Sequence, residues 1–162
     1  MDDANGYNVQ IVKDRLNAYR EAEIDIANQT ELLERLISKM EGLGAKEITD
    51  MPRSPSPSVD RITSLMNQKI ELEEVIAEDV AALERERKSI EGILKHLKSA
   101  NERAVIRFRY LIGLDWYGVT DAMFGGREDY LDKEDSYMKQ VFRLHGKALL
   151  NIAIYLSDKA EP

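Results

Sequence analysis

Apolar side chains recur along the first hundred residues at alternating steps of four and three. Positions 12, 16, 19, 23, 26, 30, 33, 37 and 40 read Val, Leu, Tyr, Glu, Ile, Thr, Leu, Ile and Met. Such spacing lays a narrow seam along one helix, broken here by Glu23 and Thr30. It predicts a helix over 8–41, stopped by Gly42 and Gly44. A second seam steps by seven through Ile62, Lys69, Ile76, Leu83, Ile90 and Leu97. Leu65, Leu72, Val80 and Leu94 flank it, and Lys69, Asp79 and Arg87 weaken it. A helix of roughly 40 residues is ~60 Å long, too long to bury its stripe against a small globule. Between the seams, GLGAKEITDMPRSPSPS places three prolines within six residues, which a helix interior does not tolerate. The expectation is an all-α chain opening on a long antiparallel coiled-coil hairpin, with a linker at 42–58 and Ser58 as a helix cap. Two helices alone leave one side of each seam wet. A homodimer through these N-terminal helices would cover it, with Glu23, Thr30, Lys69 and Arg87 setting register.

The chain has 162 residues, enough for one domain or for a small domain with a helical extension. Its net charge of −7 argues against general adhesion to nucleic acid or anionic membranes, although a local patch decides binding. The absence of cysteine excludes disulfides, thiolate nucleophiles and cysteine–zinc sites, and fits a cytoplasmic setting. The opening MDDANGYNVQ lacks the basic and apolar regions of a signal peptide. No apolar run approaches the ~18–20 residues of a membrane span, so no membrane partner is expected.

The pattern changes after residue 98. Ser99–Glu102 reads SANE, a capping box, and divides the hairpin (1–98) from a C-terminal domain (99–162). Val105, Phe108, Leu111 and Ile112 predict a helix over 101–112 that ends at Gly113, with Leu114 as a buried tether. Asp115 is placed to cap a second helix over 116–124, with Trp116, Val119 and Met123 inward and Gly125-Gly126 as its stop. A third helix begins at 135–138 and ends near 156, burying Val141, Leu144, Ala148, Leu149, Ile152 and Tyr155. Residues 136–157 contain no acid at all. Lys139, Arg143 and Lys147 recur every four residues on the outer side, with Ser136 and Gln140 beside them.

A short helix, a turn and a longer cationic helix are the parts of a helix-turn-helix that binds double-stranded DNA. Gln140 and Arg143 suit two-pronged contacts to adenine and guanine. Lys139 and Lys147 suit phosphates, and Arg127 suits a flanking phosphate. Ser136 is placed to cap the reading helix and meet phosphate there. The same three cations also describe an ordinary solvated face. Gly118 and Gly146, each inside a helix, are expected where helices cross closely, so that leucine at either would unfold the region.

These residues carry a resemblance. Arg109-Tyr110, Gly113-Leu114, Trp116, Val119, Val141 and Lys147-Ala148-Leu149 resemble the sigma-factor region 4 pattern in order and spacing. FRYLIGLDWYGVTDAMFG followed by VFRLHGKALLNI is similar to phage and prophage regulators of the ArpU/RinA type, as is the Met51-Pro52-Arg53-Ser54 junction. The resemblance implies a late-gene transcription regulator acting on DNA, with RNA polymerase as a protein partner. It makes Gly113, Leu114, Trp116, Val119, Val141, Ala148 and Leu149 the helix-turn-helix framework. Thr120 stands where the family has alanine. GGREDYLDKEDSY is longer than an ordinary turn and carries five acids.

No catalytic, metal or cofactor site is expected. His96 and His145 are the only histidines and lie far apart in sequence, and the acids of 128–135 do not follow a calcium-loop order. His96 is expected on an exposed helix face; His145 is expected in packing or at the surface, with a phosphate contact as the alternative. Two other functions fit the parts: a small terminase-like packaging protein, and a helical interaction or inhibitor module that binds no DNA.

Overall fold

The computed structural model describes residues 8–46 and 57–160, whose regular elements are all helical, with no strand among them. Five helices are joined in order: α1 (Val9–Lys46), α2 (Pro57–Leu94), α3 (Ala100–Ile106), α4 (Trp116–Phe124) and α5 (Glu134–Ala160). A π-helical segment, Arg107–Ile112, continues α3. None of the described helices is long and apolar enough to cross a membrane. Residues Ala22–Glu84 form one compact unit, and Met1–Glu21 with Arg85–Pro162 form another.

In the first unit α1 and α2 pack as an antiparallel pair along the expected seams. Ile26, Leu33, Ile37 and Met40 are half-buried, as are Ile62, Leu72, Ile76 and Leu83. The polar positions differ from expectation. Glu23 and Thr30 are exposed, Thr30 turning its hydroxyl back to the Ile26 carbonyl at 2.9 Å. Gln29 takes the interior place and donates to Asp79 across the pair at 3.1 Å. Lys69 stays in the seam with its ammonium on Glu73 at 2.7 Å. Val80 faces outward while Asp79 sits at the seam, because the helix repeat of 3.6 residues drifts against a strict seven.

Gly42 and Gly44 do not end α1, which continues to Lys46. A helical glycine costs only about 1 kcal/mol against alanine, and packing offsets that here. Leu36, Leu43 and Leu65 line a recess between the two helices. Pro57 opens α2, since its missing N–H costs nothing in a first turn, so the helix begins ahead of Ser58. The rest of the expected linker, 47–56, and the Ser58 side chain lie outside the described residues.

The second unit holds the core. Asn8 caps α1, its side-chain oxygen accepting from the Ile11 amide at 2.8 Å. Val12, Leu16 and Tyr19 of α1 are buried, as are Ile90 and Leu94 of α2 and Leu97 beyond it. The unit containing α3, α4 and α5 therefore takes in the paired ends of both long helices as well. Arg15 spans that pair, meeting Glu86 at 2.6 Å and Ser89 at 2.9 Å. Ser99 caps α3 as the SANE motif implies, accepting from the Glu102 amide at 3.3 Å. The buried Glu102 carboxylate accepts from Asn151 of α5 at 3.0 Å.

The widened turn at Arg107–Ile112 had no counterpart in the apolar periodicity. It sends three neighbouring side chains in different directions. Arg107 reaches Glu91 at 2.8 Å, Arg109 lies 4.5 Å over the Trp116 ring, and Tyr110 enters the core. Gly113 then closes the helix at φ +87°, a left-handed conformation that a Cβ would strain.

Candidate nucleic-acid interface

Two short helical pieces prop α5. Asp115 caps α4 by accepting from the Gly118 amide at 2.7 Å, and α4 ends at Phe124 as the paired glycines imply. Its Val119 and Phe124 join Val141 and Tyr137 of α5 in one core, against which Phe108, Leu114, Trp116, Met123 and Leu144 pack. Ala148 and Leu149 are buried further along α5. Every framework position named from the sequence thus lies on the inner side of this assembly or at its helix ends.

His145 is the pivot between these elements. It is 9 % exposed, hydrogen-bonded through Nε2 to the Tyr110 hydroxyl at 2.7 Å, and edge-on to Trp116 at 4.8 Å. Burial, then the Lys13 and Arg109 charges, press its pKa down to about 4, so at neutral pH it is an uncharged packing residue. Burial and then Arg20 likewise lower the pKa of Arg109, which also donates to the Leu114 carbonyl at 3.0 Å. His96 is exposed as expected, but it lies in the turn past the end of α2 rather than on a helix face, with its ring stacked on Tyr155 at 4.2 Å.

The outer side of α5 carries the residues named for DNA. Ser136, Lys139, Gln140, Arg143 and Lys147 are all exposed. At 3.6 residues per turn they occupy an arc of about 100° over ~17 Å of helix. Among the described residues, no ion pair engages Lys139, Arg143 or Lys147. The structure thus brings these five together on one open surface. Leu150 and Ile154, about half exposed, continue the same arc toward the C-terminus, so the face changes from cationic to apolar past Lys147. Helical-wheel arithmetic on residues 136–154 would have found that change.

Ser136 does not cap the helix. The helix starts at Glu134, so Ser136 lies inside the first turn behind two acids, Glu134 and Asp135. Those acids suit the positive end of the helix dipole and leave no place for a phosphate there. Arg127 is exposed, but its guanidinium lies 5.1 Å above Phe124 and 5.6 Å above Tyr137, a cation–π seat.

The long acidic stretch between α4 and α5 is a packed turn. Tyr130 and Tyr137 are buried and stack at 6.0 Å, and Phe124 stacks on Tyr137 at 5.0 Å. The Tyr137 hydroxyl donates to Asp129 at 2.6 Å. That bond, with Lys133 nearby, holds the Asp129 carboxyl below its usual pKa. The tyrosine spacing 130–137 is the sequence signal for this packing. Asp132, Glu134 and Asp135 line a surface recess together with Ser136 and Lys139, so the acids border the N-terminal end of the cationic face.

The glycines divide. A Cβ at Gly118 would meet Leu114 and the capping Asp115, both at 3.2 Å, so its close neighbour is its own cap rather than a crossing helix. Gly146 is exposed with nothing within 4 Å of a Cβ. The expected crossing there is absent, and the space lies at the edge of the cationic face, about 20° beyond Lys139 around the helix.

Charge is segregated between the units. Residues 22–84 hold 14 acids and six bases, a net of −8, while the remainder of the chain is at +1. The acidic total therefore belongs to the hairpin and not to the part that carries α5. Among the described residues no three His, Asp or Glu side chains gather as metal ligands would. No protein-family model, curated protein or solved structure matches the chain.

Proposed function

We propose that the chain is a double-stranded DNA-binding transcription regulator that reads the major groove with the N-terminal half of α5. The observation that carries this reading is the exposed arc of Lys139, Gln140, Arg143 and Lys147, set in a stretch without acids and backed by a rigid aromatic core. Gln140 and Arg143 supply the bidentate base contacts, and Lys139 and Lys147 the phosphate contacts. The bare surface at Gly146 lets a sugar–phosphate backbone approach the helix closely. The resemblance to sigma-factor region 4 and to ArpU/RinA-type phage regulators supplies the transcriptional role. The hairpin is the element through which two copies pair, and RNA polymerase is the protein target.

The test is selection of bound duplexes from a random pool, followed by titration of the selected site. Arg143→Ala should cost ~1–3 kcal/mol and relax one base position, while Lys139→Ala should lower the salt slope by about one. Unchanged affinity and salt dependence in both variants would overturn the assignment of this face. One observation favours a second reading, a helical protein-interaction module: the arc continues as exposed Leu150 and Ile154. Absence of duplex binding at ~50 mM salt, where phosphate contacts are strongest, selects it.

A further inference from the structure

Helix α1 enters the second unit with cations on the flank turned away from α2. Val12, Leu16 and Tyr19 form its buried stripe. At ~100° per residue, Arg15 lies on one flank of that stripe, and Lys13, Asn17 and Arg20 lie on the other. Arg15 is bound to Glu86 and Ser89 of α2. The opposite flank meets the π-helical segment and α5. There the Lys13 charge bears on His145, and the Arg20 charge bears on Arg109 and Tyr110. Lys13 and Asn17 are exposed and Arg20 is half-buried. Lys13 and Arg20 are ~10 Å apart along the helix and about 20° apart around it, a gap that two long side chains close on one ligand.

Lys13, Arg20 and Arg109 converge there without a counter-charge. Among the described residues, no ion pair engages any of the three. The Arg109 guanidinium is held by the Leu114 carbonyl at 3.0 Å and the Trp116 ring at 4.5 Å, and its Nε is buried with no hydrogen-bond partner. Asp115, the carboxylate whose charge reaches Arg109, is occupied in capping α4 at 2.7 Å from the Gly118 amide. Asp14 lies at least ~100° around α1 from Lys13 and Arg20 and accepts from Gln10 at 2.7 Å. Like charges gathered in this way repel one another, and an oxyanion among them removes that repulsion. A guanidinium fork beside an ammonium suits several oxygens on one centre, which is the chemistry of phosphate. The patch also runs into the outer side of α5. Trp116, beneath Arg109, meets Phe142 edge-on at 5.1 Å, and Phe142 is 45 % exposed about 60° around α5 from Lys139.

We propose that Lys13 and Arg20, with Arg109 behind them, form a phosphate-binding site on the second unit. The ligand is a phosphate oxyanion, carried either by the DNA backbone beside the α5 face or by a free phosphate compound. The site goes beyond base reading by α5 and stands without it. Trp116 is the only tryptophan of the chain and lies beneath Arg109, so its fluorescence reports the site. The probe is inorganic pyrophosphate, titrated into the full-length chain at ~50 mM salt, where charge contacts are strong. A saturable change in Trp116 emission is expected, which sodium chloride at matched ionic strength does not reproduce. Lys13→Gln with Arg20→Gln should weaken binding ~10-fold or more. Helical circular dichroism and the urea midpoint should be retained, because neither side chain has an ion pair to lose. Arg143→Ala, outside the site, should bind pyrophosphate as the wild type does. No saturable change in the wild type overturns the proposal. So does unchanged affinity in the double variant, or an equal loss in Arg143→Ala. Competition between duplex DNA and labelled pyrophosphate then separates the sources. Displacement, with a salt slope for duplex lowered by about two in the double variant, assigns the DNA backbone. Duplex that binds without displacing pyrophosphate assigns a free phosphate compound. Absence of duplex binding with the pyrophosphate response intact assigns the same source and counts only against the DNA reading.

Discussion

Acidification from pH 7 to pH 5 should destabilise the core of the second unit through one residue, His145. Its ring is enclosed by Tyr110 and Trp116, with the cations Lys13 and Arg109 facing it, and its pKa falls from 6.5 to about 4. The unfolded chain takes up this proton readily while the folded chain refuses it, so stability is fully present above pH 6.5. It is lost as pH falls through the window from 6.5 to about 4. At pH 5 the two affinities differ enough to remove ~2 kcal/mol, against only ~0.2 kcal/mol at pH 7. With a urea dependence of ~1–3 kcal/mol per molar, that is a midpoint shift of about 1 M. The assay is urea unfolding of the wild type and of His145→Gln, which keeps a hydrogen-bonding side chain but has no proton to gain in this range. Circular dichroism at pH 7, 6 and 5 gives the slope for each. The wild type should lose more stability than the variant by ~2 kcal/mol at pH 5. Parallel slopes in the two proteins would refute the claim that this ring is held neutral by burial.

Gly146→Ala should stabilise the fold by up to ~1 kcal/mol in thermal unfolding, because the site has open space and normal helical φ. The same variant should weaken duplex binding if the DNA backbone uses that gap. Asp115→Ala removes the oxygen that caps α4 and should cost about 1 kcal/mol in urea unfolding, with Asp115→Ser recovering most of it. Tyr137→Phe deletes the donor to Asp129, so the Asp129 carboxyl should titrate closer to an ordinary aspartate, as read by carbon NMR against pH.

Local signals carried much of the architecture. The boundaries of α4 followed from Asp115 and the glycine pair, because a cap and a stop are chemical events confined to a few residues. Ser99 and Gly113 were legible for the same reason. Gly42 and Gly44 misled, since the cost of glycine in a helix is small and packing against a partner can exceed it. On α1 the polar residue that turns into the seam is Gln29 rather than Thr30, because one residue of drift decides which side chain meets Asp79. Gly146 gave the wrong neighbour, because a glycine shows only that a side chain is missing.

The sequence by itself determined helix, periodicity and the acid-free run at 136–157, all of which depend on neighbours within one or two turns. The tertiary structure decided which of those helical faces stays open. Burial at His145, the aromatic seat under Arg127 and the free arc from Lys139 to Lys147 arise from residues far apart in the chain. No local rule encodes such contacts, because whether a side chain is covered depends on the elements that pack over it.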